Sequence, residues 1–408
     1  MTLQGTALRN PIPDDGESLL LDRSDLFLQR TAAVAAQAAA EADEVDRDGR
    51  FPKAAIDASR EHKLLGMQIP VEFGGFGASI HDIADACYAL GRACASSAMI
   101  FAMHQTKVAC LVRHGRGSAY MESLMRRIAS EQLLMASSTT EGQNGGNIRA
   151  SAAAVGHENG RISLRRDATV ISYGAEADGL VTIARRADGA AASDQVLLAL
   201  TRDDYTISRT LGWETLGMRG TCSTGFALEV SCPSDRMFTE PYERIHGQTM
   251  TPFAHLCWSS AWAGIAAAAV ERAQRFLRKA ARGAGGQMPP AAAHYTAAKM
   301  ALARLRAMIV TNMDAFVAHE YDERALGSLD FQSSITLLKV QASELAVETV
   351  MHAMRACGLS GYRNDGEFSI GRHLRDVLSA PIMINNDRIL ANIATANLMS
   401  TVPTSLHE

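Results

Sequence analysis

Apolar positions along the chain change their period twice. From about Ser24 to Ser130 they recur at helical spacing. An alanine-rich stretch runs from Ser24, a residue able to cap a helix, to about Val45. Pro52 stands at an expected first helical position, and Gly66 stands where that helix is expected to stop. Ile69 to Gly77, with Gly74, Gly75 and Gly77, reads as a loop. Helical patterns follow over Ile80–His114 and Ala119–Ser130. From about Leu133 to Arg244 the pattern shortens into runs bounded by Gly, Asp and Asn: Arg161–Leu164, Thr169–Ser172, Leu180–Ala184, Gln195–Leu200 and Gly225–Val230. A spacing near ten residues predicts an antiparallel barrel or sandwich. From Thr251 to about Met399 helical spacing returns, carried by Leu302, Leu305, Met308 and Ile309 and more loosely by Leu337, Val340, Leu345 and Val347. The Gly- and Pro-rich segment Gly283–Pro290 separates two of these helices. The expected division is a helical domain over 1–132, a β domain over 133–246 and a helical domain over 247–408.

Composition narrows the class. A chain of 408 residues with 47% hydrophobic and 21% charged residues fits a globular protein of two or three packed units. The net charge of −4 supplies no basic field for nucleic acid. The basic run Arg275–Arg282 reads as a solvated helix face. The seven cysteines include no C-x-x-C pair, so neither a metal site nor a disulfide framework is expected, and free thiols suit a cytoplasmic location. The first twenty residues lack the charged-then-apolar pattern of a secretory signal. The apolar run Trp258–Val270 is too short to cross a membrane, and Gly264 with its neighbouring alanines predicts close helix packing instead.

Leu216-Gly-Met-Arg-Gly-Thr221 is poor helix and poor strand. Its two glycines predict either an exposed turn or a close approach of backbone to another element. Other blocks stand at fixed places around it. Pro70 with Gly74, Gly75 and Gly77 lies between two N-terminal helices. Thr139-Thr140-Glu141 with Gly145 and Gly146 enters the β region. Ile171-Ser172, Gly174 and Ala177-Asp178 follow. Cys357-Gly358, Gly361-Tyr362 and Arg372, Arg375 and Asp376 lie in the last helices.

In this order, over about residues 20 to 400, these blocks resemble the acyl-CoA dehydrogenase family. The resemblance implies an α+β multidomain fold: an N-terminal helical domain, a middle antiparallel β-barrel or sandwich, and a C-terminal four-helix bundle. It implies FAD bound between the β domain and the bundle in a homo-oligomer, tetramer or dimer. Thr139, Thr140, Gly145, Gly146 and Asn386 are then flavin-lining candidates. Ser172 matches the residue that donates a hydrogen bond near flavin N5; an ordinary strand serine is the alternative. The implied reaction is α,β-dehydrogenation of an acyl thioester carried on CoA or an acyl carrier protein. An electron-transfer flavoprotein or a reductase is the redox partner, with no role for nucleic acid or membrane.

That reaction needs a carboxylate base, its pKa raised in an apolar pocket. The family's usual position falls on Ile384, followed by Asn385 and Asn386. A less common position, counted back from Gly264, falls on Ala254 and His255. Neither holds a carboxylate. Three explanations compete. Asp387, one turn beyond Ile384, is the substitute base, against the plainer reading of a surface ion pair with Arg388. Alternatively the scaffold is a flavin monooxygenase using reduced flavin and O₂, with His104 or His373 assisting proton transfer. The third is a protein that binds flavin or acyl groups without catalysis. Two further departures bear on the site. Val170 stands where an aromatic is expected, and Ala280–Gln287 lacks a clear match to the residues that reach a neighbouring subunit's FAD.

Overall fold

The computed structural model describes residues 15–141, 148–399, 402, 404 and 405. Helix α1 (Asp15–Asp48) runs straight through Ser24, which is therefore not its cap. Helix α2 (Lys53–Glu61) follows Pro52 but ends before Gly66. Gly66 answers a different need: a Cβ there would stand 2.8 Å from the Cα of Ala129. The pattern over 80–114 is two helices, α3 (Ile80–Ala93) and α4 (Ala95–His114), because Cys94 adopts extended backbone between them. Ser79 closes a capping box on α3, and Ser118 caps α5 (Ala119–Glu131).

The middle region forms two sheets. One orders β1 (Met135–Ser138), β4 (Gly179–Arg185) and β5 (Gln195–Thr201). The other orders β2 (Gly156–Glu158), β3 (Arg161–Ile171), β7 (Thr224–Pro233) and β6 (Tyr205–Leu211). Thr169–Ser172 is not a separate strand, since β3 runs unbroken from Arg161 to Ile171. The pairing is antiparallel except for β1, which lies parallel to β4. Strands β4 and β5 read as continuous apolar runs because both faces are covered. Leu180, Val196 and Leu198 join the sandwich core with Ile162, Leu164 and Leu228, whereas Val181, Ile183 and Leu197 pack with α4 and α5 through Val108, Leu111, Met125 and Ile128.

A short α6 (Tyr242–Ile245) and one π-helical turn (His246–Met250) lead into α7 (Thr251–Gly283). Helices α8 (Ala292–Ala318), α9 (Glu323–Leu326), α10 (Leu329–Cys357), α11 (Leu359–Tyr362), α12 (Gly371–Val377) and α13 (Asn386–Met399) complete the chain. Helix α7 packs between α3, α8 and α10, and α13 lies on α10. Its apolar stretch belongs to the interior, with 94% of its most apolar window buried. Gly264 permits the close packing expected of it, since a Cβ there would stand 2.2 Å from the Tyr88 carbonyl; Gly91, on the facing helix, does the same, with a Cβ 2.3 Å from the Ala261 carbonyl. Arg275, Arg278, Lys279 and Arg282 point to solvent, as the basic run predicts.

Candidate functional site

Leu216–Thr221 proves to be a junction between three parts of the chain. Met218 holds a left-handed backbone, φ 54°, and its N–H donates to Asp376 Oδ1 at 2.7 Å. A Cβ on Gly217 would lie 2.1 Å from the Arg375 carbonyl oxygen, and one on Gly220 2.2 Å from Val45. Arg219 Nε donates to the Asp46 carbonyl at 2.7 Å. Arg375 pairs with Asp46, and Arg372 with Asp43 at 3.0 Å. Burial raises the Asp376 carboxyl to about 6, against the pull of the Met218 N–H. The glycines serve backbone approach, and the Arg372–Asp376 block clamps α1, the β domain and α12 together.

That junction fixes one wall of the site. Tyr173, buried with φ 44°, donates its N–H to the Thr221 carbonyl at 2.8 Å and its hydroxyl to the Met135 carbonyl at 3.0 Å. Ser172 is thereby held beside Ser223, Oγ to Oγ 2.8 Å, and Ser223 lies 2.7 Å from Thr221 Oγ1. Thr221 Oγ1 donates to the Met218 carbonyl at 2.8 Å. A carbonyl only accepts, so the relay has one direction: Thr221 gives its proton to Met218, Ser223 to Thr221, and Ser172 to Ser223. The Ser172 oxygen is left with its lone pairs outward. Thr139 and Thr140 stand half-buried beyond β1, and Thr140 Oγ1 reaches the Val170 carbonyl at 3.4 Å. Among the described residues, Ser138 Oγ and Thr224 Oγ1 are buried without a hydrogen-bond partner. Glu141 does not face this wall. It turns into the sandwich, where it pairs with Arg166 at 3.0 Å and accepts from the Ala152 N–H at 2.6 Å. Gly145 and Gly146 lie outside the described residues.

A second wall belongs to the bundle. Lys339 on α10 has no exposed surface. Its ammonium donates to the Ile384 carbonyl at 2.9 Å and to Asn386 Oδ1 at 2.7 Å, and lies 5.9 Å from the Trp262 ring centroid. Asn386 Nδ2 donates to Ser343 Oγ and to Glu344 Oε1, each at 3.0 Å. Burial depresses Lys339 to about 7, with Glu344 opposing. Its charge is felt by His255, which burial brings to about 4 although the Ile335 carbonyl holds Nδ1 at 2.8 Å. Ile384 itself has φ 48°, a rare conformation for a β-branched residue. Helix α4 lies between the walls, packed on β1 and the 219–221 turn on one side and on α7 on the other.

The remaining candidates separate. Asp387 is exposed on the first turn of α13, next to the buried Asn386. His104 is engaged on both ring nitrogens, with the Leu65 carbonyl at 2.8 Å and the Met135 N–H at 3.0 Å. It ties α4 to β1. His373 is buried, its Nδ1 has no partner, and burial keeps it well below the ordinary histidine range. Lys339 escaped the sequence reading. The signal was a lysine followed four residues on by Ser343, on a helix stripe otherwise made of Ile335, Leu338, Ala342 and Ala346. A surface groove of about 620 Å³, lined by residues such as Ser163, Asp203 and Glu229, holds none of these groups.

Comparison with known proteins agrees with this architecture. The family model for the acyl-CoA dehydrogenase N-terminal domain matches residues 22–132, and that for the C-terminal domain matches 247–399. Cyclohex-1-ene-1-carbonyl-CoA dehydrogenase of Syntrophus aciditrophicus (strain SB) is 24% identical over 376 residues, covering 87% of this chain and 84% of the relative. A probable FMNH2-dependent monooxygenase, SfnC of Pseudomonas putida, is 25% identical over 362 residues, covering 84% and 87%. Among solved structures, FMN-bound TdsC from Paenibacillus sp. A11-2 superposes with a TM-score of 0.81 at 20% identity, covering 94% of this chain and 100% of that one.

Proposed function

This chain belongs to the acyl-CoA dehydrogenase family of flavin-dependent oxidoreductases, and from that premise we propose that it is a flavin monooxygenase supplied with reduced flavin. The observation that carries the proposal is Ile384. An apolar side chain stands at the family's usual base position, on a turn whose carbonyl is held by buried Lys339. The carboxylates closest in sequence and bonding to that turn, Glu344 and Asp387, are both exposed. Removing an α-proton from a thioester calls for a desolvated carboxylate. The buried carboxyl of the junction, Asp376, is tied to the Met218 N–H, and the other buried groups here are hydroxyls, an imidazole and an ammonium.

The residues present fit a flavin. Buried Thr224 Oγ1, next to Ser223 in sequence, has no partner among the described residues, and half-buried Thr140 reaches the Val170 carbonyl two residues before Ser172. A bound reduced flavin supplies the electrons that O₂ activation consumes. The relay direction favours that redox state. Ser172, at the position the resemblance sets beside N5, presents an acceptor, the partner that the N–H of a reduced flavin requires. This replaces the donor role first expected of Ser172. We read the flavin as FMN rather than the FAD first expected, in line with the names of the monooxygenase relative and the TdsC structure. A flavin reductase is the partner this reading requires; a cytoplasmic location and a homo-oligomeric state accompany it as proposals.

The test is anaerobic titration of the flavin-loaded protein with a panel of acyl-CoAs, followed by turnover with reductase-generated FMNH2 and ¹⁸O₂. No bleaching by any thioester, with ¹⁸O entering an added substrate, is expected. Stoichiometric bleaching by an acyl-CoA overturns the proposal in favour of dehydrogenation.

A further inference from the structure

Lys107 lies in the middle of α4 and is 5% exposed. A buried ammonium ordinarily finds a carboxylate or several carbonyl oxygens. Among the described residues, this one donates only to the thioether of Met250, at 3.4 Å. Sulfur is a weak acceptor, and two of the three ammonium protons are left without a partner. No carboxylate of the described residues is among the groups whose charge acts on Lys107. Burial draws the lysine down to about 8, and Cys110, one turn along α4, is the one group whose charge favours the protonated form.

Met250 packs in one apolar cluster with Val108, Cys110, Tyr242 and Ile245, so the ammonium is set among core groups. Met250 and His246 both come from the π-helical turn that joins the β domain to α7. Such turns occur frequently at functional sites. Buried His246 feels the charges of Lys107, of His255 beside the Lys339 site, and of Arg149. Arg149 is exposed, and its charge also reaches buried Tyr242. Met250 is unbranched and flexible, so its thioether can leave Lys107, giving up the Tyr242 hydroxyl at 3.8 Å as it moves.

We propose that Lys107 is the counter-ion for a small organic oxyanion, a carboxylate or sulfinate, carried by the substrate. The bound anion takes up the two free ammonium protons, and Met250 is the stand-in that it displaces. This assignment holds whichever reaction the flavin serves, and its test reads binding without turnover.

The experiment measures thermal denaturation of the full-length, flavin-loaded protein against increasing butyrate, butane-1-sulfinate and, as a neutral control, butyramide. A ligand that binds only the folded state raises the midpoint in proportion to the logarithm of its concentration over Kd. One or both anions are expected to give a saturable rise, and butyramide none; the anion that acts identifies the head group. Lys107→Met removes the charge and sets one thioether beside another. It is expected to fold, retain flavin and lose about 100-fold or more in anion affinity. Met250→Leu leaves the charge in place and is expected to bind the anion at least as well as the parent. The proposal is overturned if neither anion acts on the parent protein, if butyramide acts equally, if Lys107→Met retains the parent's response, or if Met250→Leu abolishes it.

Discussion

Lys339→Met tests whether the bundle wall holds a buried base. The folded protein keeps Lys339 near pKa 7 against an ordinary 10.5, and burial is the leading cause. The native state therefore binds fewer protons at this site than the unfolded chain between pH 7 and 10.5. Stability contributed by this group rises with pH across that window. Two such titrations imply that the fold carries a penalty of about 4 kcal/mol at pH 7 for charging this group, about 2 at pH 9 and under about 1 at pH 10. Methionine has no such penalty. It also forfeits the bonds to the Ile384 carbonyl and Asn386 Oδ1, a loss of about 1–3 kcal/mol each that depends much less on pH. The stability of the parent minus that of Lys339→Met should thus climb by about 3 kcal/mol between pH 7 and pH 10. Parallel denaturant titrations of both proteins at four pH values measure the difference. A difference that stays flat with pH refutes a depressed lysine at this position.

Three further outcomes follow from the geometry. Ser172→Ala should weaken binding of reduced FMN by about tenfold while oxidised FMN loses much less, since the relay presents an acceptor; equal losses in anaerobic and aerobic binding titrations refute the relay direction. Gly217→Ala forces a Cβ against the Arg375 carbonyl and should cost about 3 kcal/mol, with α12 exposed to limited proteolysis; parent-like stability and protection refute the junction. Glu141→Gln strands the buried Arg166 guanidinium and should cost roughly 3–5 kcal/mol in denaturation, with Arg166→Met added to the same chain recovering part of it; a loss below about 1 kcal/mol refutes the ion pair's role.

The fold was legible where one face of an element is apolar. The order of helices, strands and helices follows from period alone, and β4 and β5 stand almost where their runs of Val, Leu and Ile put them. Strand β6 was missed because Thr-Ile-Ser-Arg-Thr exposes most of its residues, and β1 because Met-Ala-Ser-Ser is too short to set a period. The break at Cys94 left no breaker residue to read. The glycine block pointed to close backbone approach, but its partners lie more than 150 residues away on α12 and α1, beyond any local signal. Ser172 was found because its motif is local. Lys339 was not, since what distinguishes it is a pair of acceptors 45 and 47 residues along the chain.

The turn at Ile384 joins these strands of the argument. A β-branched residue in the left-handed region costs on the order of 1–3 kcal/mol and survives only where its surroundings over-determine it. Here they do. Lys339 fixes the Ile384 carbonyl, and Asn386, two residues on, is locked by Lys339, Ser343 and Glu344. Relaxing the turn would relieve the strain but strip the buried Lys339 ammonium of an acceptor, a cost that holds the turn in place. The chain spends a desolvated lysine on keeping the turn in place with an aliphatic side chain upon it. That arrangement holds a 37% exposed aliphatic side chain where the resemblance sets the family's carboxylate. Under the proposed function the chemistry then rests with the hydroxyl relay and a reduced flavin rather than with a base on α13.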